Sequence, residues 1–216
     1  MSQLNTSAEF IAEAARANFV GRLEERAELV NLGGNYDYLS HAYYVSLDLE
    51  HAGKSVRPNC RQMLDAYVPP LFVEKARLAN VPVPESYISN GYFEPPVIVD
   101  PINPFTLRGR VVMKTGRAKT IARSLTRNFT YAVCCQELPA GARIVRFRSV
   151  LGWTPSPSLR EASAAVWNVF AIPLAIVRAV KLSGGPVLLS DIAPLYFEDL
   201  RPRELHYLQE RVTWVS

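Results

Sequence analysis

Apolar residues recur every four positions at the start of the chain, at Ile11, Ala15, Phe19 and Leu23. This period places one stripe on a helix, which Thr6 and Glu9 would open as a capping box. The pattern predicts a long amphipathic helix to about Val30. Gly33-Gly34-Asn35 then reads as a turn, followed by a helix from about Leu39 or Ser40 to Ala52 with Gly53 as its left-handed cap. Further helices are expected over Cys60–Tyr67 and Leu71–Asn80, parted by Pro69-Pro70. Prolines dominate from Val81 to Phe105, so that stretch reads as extended connections holding one short strand, Val97-Ile98-Val99.

Beyond it, a strand over Arg108–Met113 and a helix over Ala118–Asn128 precede two strands, Phe129–Gln136 and Arg143–Leu151. Ser158–Phe170 reads as a helix. Leu174–Leu182 and Val187–Ile192 form a hairpin around Ser183-Gly184-Gly185, and a last helix runs from Pro202 to about Val212. Alternating strands and helices with a late hairpin imply an α/β class, with α+β as the alternative: one domain, its mixed sheet flanked by helices. No internal repeat is visible.

Composition agrees with an ordinary globular core: 216 residues, 49% hydrophobic and 20% charged. The longest uncharged stretch, Ala162–Val177, is 16 residues and is interrupted by Asn168 and Pro173. A membrane span needs about 20 apolar residues, so no membrane role is expected. The N-terminus lacks a basic start and apolar run, and a cytoplasmic setting is expected. The three cysteines, Cys60, Cys134 and Cys135, show no Cys-x-x-Cys spacing and are read as free thiols, the adjacent pair pointing to opposite faces of a strand. No metal site and no cofactor are expected.

Net charge is +4, unevenly spread. Residues 101–148 carry ten basic side chains against the single acid Glu137, and the rest of the chain is net negative. The basic patch comprises Arg108, Arg110, Lys114, Arg117, Lys119, Arg123, Arg127, Arg146 and Arg148, with Arg143 beside them. Lys119, Arg123 and Arg127 would form one helical stripe opposite Ala118, Ala122 and Leu125. Arg146 and Arg148 would share a strand face. Solvated surface, an acidic protein or peptide, and nucleic acid all remain open as what the patch meets, with nucleic acid the weaker of the two partners because no RNA-binding aromatic signature accompanies it. Lys114-Thr115-Gly116-Arg117-Ala118-Lys119-Thr120 echoes a phosphate loop but lacks its first glycine and its Gly-Lys pair.

The densest chemistry lies at residues 31–58. Asn35, Tyr36, Tyr38, Ser40, His41 and Tyr44 cluster near a predicted helix start, where free amides favour an anionic or planar ligand. Against this, Tyr43, Tyr44 and Leu47 also read as core positions at helical spacing. His41 and His51 are ten residues apart, about 280° around a helix, so they do not form a two-histidine metal site. Asp37 could reach His41 by one turn, but no nucleophile accompanies the pair and no catalytic residue is assigned.

The same stretch resembles the N-terminal domain that precedes RimK-like ATP-grasp ligases. The resemblance rests on Asn31, Leu32, Tyr36, Tyr38, Tyr43, Tyr44, Val45, Ser46 and Leu47, then Ala52, Gly53 and Pro58. A looser second block begins at Val150-Leu151 and continues through the helix ending at Phe170, the hairpin and the helix after Leu200. Together the blocks cover about residues 29–82 and 148–213. Residues 1–30 are then a helical extension, 31–216 the resembled domain, and about 85–147 a divergent or inserted basic segment. The resemblance implies a domain that works beside a carboxylate–amine ligase whose grasping module is expected on another chain. The expected function is a non-catalytic accessory or ligand-binding protein whose partners are an ATP-grasp ligase or an acidic peptide; self-association is also compatible. The alternatives are a nucleic-acid binder using residues 101–148 and a small independent enzyme near Tyr36 and His41.

Overall fold

The computed structural model describes residues 2–24, 28–103 and 109–215. In chain order the first elements are α1 (Ser2–Arg16), β1 (Val20–Leu23), β2 (Leu29–Asn31), α2 (His41–His51), β3 (Val56–Arg57), α3 (Cys60–Tyr67) and α4 (Pro69–Leu78). There follow β4 (Ser86–Ser89), β5 (Val97–Pro101), β6 (Arg110–Val112), α5 (Ala118–Leu125), β7 (Val133–Glu137) and β8 (Arg143–Val150). The chain finishes with α6 (Arg160–Phe170), β9 (Leu174–Lys181), β10 (Val187–Pro194), α7 (Pro202–Gln209) and β11 (Val212–Trp214). The class is mixed α/β, as the periodicities predict. No helix among the described residues is long and apolar enough to cross a membrane.

Two compact units divide the chain. The first comprises residues 1–64, 147–176 and 193–216. Its four-stranded sheet has the order β11-β1-β2-β3 and is mixed, with β2 and β3 parallel and the other pairs antiparallel. Val20, Leu29 and Val56 of this sheet pack with Val45 and Leu49 of α2. The helix expected to reach Val30 ends at Arg16 instead. Asn18 and Phe19 both take left-handed φ angles, 51° and 57°, which no α-helix accommodates. The four-residue spacing of Phe19 and Leu23 therefore spans a turn and a strand. The inward face of α1 also differs from the expected stripe: Ala14 is fully buried, while Ile11 and Ala15 are exposed. Phe10 joins an aromatic cluster with Trp214 at 4.9 Å and Phe197 at 6.3 Å. These contacts dock α1 on its own unit.

The second unit comprises residues 65–146 and 177–192. Its antiparallel sheet has the order β4-β7-β5-β6. Period-two alternation sorts its side chains. Val97, Val99, Val133 and Cys135 face α5, packing with Ala122 and Leu125 and against Ala118 and Ile121. Ile98 faces the other way, onto Val180, Leu182 and Leu188 of the β9–β10 hairpin. The two adjacent cysteines fall on opposite faces, as the strand reading requires. β4, read from sequence only as extended connection, is a strand paired to β7. β7 begins at Val133 and not at Phe129, because Arg127, Asn128 and Phe129 form a turn with φ of 49°, 59° and 65°.

One buried polar network lies in this unit. Asp100 on β5 receives two hydrogen bonds from the Arg178 guanidinium, at 3.0 and 2.6 Å, and one from the Gln136 amide at 3.0 Å. Arg178 Nε donates to Ser190 Oγ, which in turn donates to Gln136 Oε1 at 2.8 Å. All four side chains are buried, and Asp191 lies 3.6 Å from the guanidinium. Burial acts to lower the Arg178 pKa, but Asp191 and Asp100 outweigh it and the net displacement is upward. A Cβ on Gly109 would overlap the Asp100 carboxylate, so only glycine lets the chain pass this close.

A candidate ligand cavity at the start of the second helix

The loop from Asn31 to Ser40 is held by neutral hydrogen bonds to nearby backbone. Asn31 is almost fully buried; its amide nitrogen donates to Ala42 O at 2.8 Å and Ser46 Oγ at 3.0 Å, while its Oδ1 accepts from Gly33 N. Ser46 Oγ donates onward to Pro58 O at 2.8 Å. Ser40 is the N-cap of α2: its hydroxyl accepts from Tyr43 N and donates to Asn35 O. Asn35 Oδ1 accepts from Asp37 N, closing an Asx turn.

Gly34 adopts φ 78°, and its carbonyl accepts from Leu195 N. A Cβ there would overlap Leu195 O and Tyr196 Cα. This close approach lets Tyr196 and Glu198 complete a cavity of about 280 Å³. Asn35, His41 and Asn18 contribute its other polar groups, and Phe19, Ala42 and Val45 its apolar wall. His41 Nε2–H donates to Asn18 Oδ1 at 2.9 Å, which orients the ring at the rim.

The six ligand candidates separate accordingly. Asn35 and His41 line the cavity, and Ser40 shapes it as a cap. Tyr36 does not line it: the ring is fully buried and its hydroxyl donates to Asn31 O at 2.9 Å. Burial drives its pKa far upward, so it remains a neutral structural phenol. Tyr38 and Tyr44 are 45% and 47% exposed and meet Tyr43 edge-on, outside the cavity. The core expectation for Tyr44 is thereby overturned: the buried face of α2 is Ala42 and Ser46. Sequence reasoning missed Asn18, Tyr196 and Glu198. Tyr196 and Glu198 lie more than 150 positions from Asn35, and no local pattern links them.

Of the basic residues, Arg108 lies outside the described residues. Arg110, Lys114, Arg117, Lys119, Arg123, Arg127, Arg143 and Arg146 are exposed. Arg127 sits past the end of α5 in the left-handed turn, so the helical stripe stops at Arg123, whose Nε donates to Asn128 Oδ1. Arg148 leaves the patch: its Nε donates to both oxygens of buried Glu204, and its other nitrogen donates to Asp199 O. Among the described residues no three His, Cys, Asp or Glu side chains gather as a metal site.

Residues 17–80 match the family model described as the RimK-like ATPgrasp N-terminal domain. No curated protein matches the chain. Among solved structures, the fold is similar to a RimK domain ATP-grasp protein from Sphaerobacter thermophilus, with a TM-score of 0.56 at 16% identity, covering 83% of this chain and 75% of that one. A D-alanine–D-alanine ligase from Helicobacter pylori follows at 0.54 and 14% identity, over 82% and 66%. The ATP-grasp ligase PsnB, in complex with precursor peptide PsnA2 and AMPPNP, aligns at 0.50 and 18% identity over 72% of this chain. The chain spans 58% of the length of that PsnB chain. At these identities the likeness is one of fold. Residues 17–80 thus match the model of the RimK-like ATPgrasp N-terminal domain, the family that the run from Asn31 to Pro58 resembles.

Proposed function

We propose that this protein is a ligand-binding partner of an ATP-grasp carboxylate–amine ligase supplied by another chain, and that it holds a small amino-acid-like ligand in the cavity at the start of α2. The observation that carries this reading is the cavity itself, built around the family-matching segment and closed by Tyr196 and Glu198. Its volume of about 280 Å³ falls just below the 300–1,000 Å³ typical of drug-sized pockets, which favours an amino acid over a nucleotide. Glu198 offers a carboxylate to an ammonium group, and Asn35 and the Asn18–His41 pair offer polar contacts to the rest. The fold likeness to ATP-grasp ligases supplies the class of partner.

The test has two arms on the full chain. Thermal unfolding is measured with single amino acids, with ATP and with an acidic peptide; an amino acid at 100 times its Kd should add about 2.7 kcal/mol of stability. Glu198→Gln and His41→Ala should abolish that gain while leaving the unliganded melting point in place. The second arm is affinity purification from the native host, which should bring down a ligase. ATP turnover by the purified chain alone would overturn the accessory reading, and a gain with ATP that no amino acid reproduces would overturn the ligand assignment.

A further inference from the structure

Strand β6 ends the sheet β4-β7-β5-β6; among the described residues it is paired only to β5, with Val97, Ile98 and Val99 opposite Val112, Val111 and Arg110. Its outer row of backbone donors and acceptors is a template for another strand. The extended conformation continues through Lys114, at φ −142° and ψ 148°. Five residues, Arg110 to Lys114, therefore present an edge with a two-residue period.

That edge is chemically two-sided. Val112 points to α5 and is buried, and Arg110 and Lys114 share its parity, both exposed. Val111 and Met113 have the opposite parity and are 43% and 62% exposed. Arg117 and Lys119, at the start of α5, are also exposed and add positive charge a few residues downstream. The only acid in residues 101–148 is Glu137. An edge unpaired among the described residues, an apolar row and a cationic row thus coincide on three to five residues. The opposite edge of the same sheet differs: β4 exposes Tyr87 and Ile88 but carries no cation.

We propose that β6 is a docking edge for an extended segment of a partner in which acidic and apolar residues alternate. The added strand places its carboxylates beside Arg110 and Lys114 and its apolar side chains on Val111 and Met113, while its backbone continues the ladder. Cross-strand pairs of opposite charge stabilise such a ladder, whereas like charges destabilise it. A second copy of β6 would bring cation against cation, so the edge selects against self-pairing.

The probe is a fluorescein-labelled twelve-residue peptide alternating Glu and Val, titrated with the full chain and read by fluorescence polarisation at low and moderate salt. Saturable binding is expected, weakened about tenfold or more in Arg110→Glu/Lys114→Glu, where attraction becomes repulsion. Lys119→Glu/Arg123→Glu, which lies off the edge, should weaken it less. The same peptide N-methylated at every second residue, which cannot form the ladder, should not bind. Several results would overturn the proposal: equal binding of the N-methylated or a block-ordered Glu/Val peptide, which reports charge alone; tighter binding of random single-stranded DNA; or no binding at all, which leaves the edge cations as a guard against aggregation.

Discussion

The first turn of α2 and the centre of the second unit both keep polar side chains away from water, but by different means. Around Asn31 every group is neutral, and the partners of its side chain and carbonyl lie 2 to 15 residues away, two of them backbone atoms. Around Asp100 the groups are charged, and the guanidinium that neutralises the carboxylate comes from 78 residues further along the chain. Neutral amides lose little when separated, whereas a buried charge left alone is strongly unfavourable. The first cluster is therefore a local brace that leaves a cavity beside it; the second is a long-range clamp that requires the whole unit to be folded.

The sharpest way to break this contrast is Arg178→Met, which leaves Asp100 buried without its cation and should cost about 3–5 kcal/mol by urea denaturation. Adding Asp100→Leu should recover most of the loss, since it removes the stranded charge; a double variant no better than the single one would show that the two residues are not a pair. Asn31→Ala should cost less, about 1–3 kcal/mol, because it orphans neutral groups only. If it matched Arg178→Met, the distinction between brace and clamp would fail. Ser40→Ala removes one cap and should cost about 1 kcal/mol, with the helical signal of α2 intact.

A last effect appears only at alkaline pH. Burial pushes the Cys134 thiol up to about 12, aided by Asp100, and that of Cys135 up to about 11, from an ordinary 9.0. The unfolded chain gives up these protons near pH 9 and the folded one does not. Their contribution is full below pH 9 and is lost as pH rises through about 11 and 12. The melting temperature should fall more steeply over that window in the native protein than in Cys134→Ala/Cys135→Ala. Parallel curves would sink the assignment.

Much of this was readable in the residues. The hairpin around Gly184-Gly185 and the α5 face of Ala118, Ala122 and Leu125 follow from periodicity, because their neighbours in sequence are their neighbours in space. The opposite orientations of Cys134 and Cys135 follow from the strand's two-residue repeat. The order of residues from Asn31 to Pro58 identified the family match over residues 17–80. Periodicity misled at Phe19 and Leu23, where i+4 spacing survives a left-handed turn, and at Tyr36, whose loop position concealed a fully buried ring.

Local sequence thus determined the fold class, most elements and the family match of residues 17–80, since backbone preference and side-chain period act within a few residues. Only the tertiary structure decided which polar groups are available to a ligand. It sealed Tyr36, tied Arg148 to Glu204, brought Tyr196 and Glu198 to Asn35, and joined Asp100 to Arg178. Hydrogen bonds and ion pairs form between whatever groups packing brings together, and that proximity is a property of the closed chain, not of any window along it.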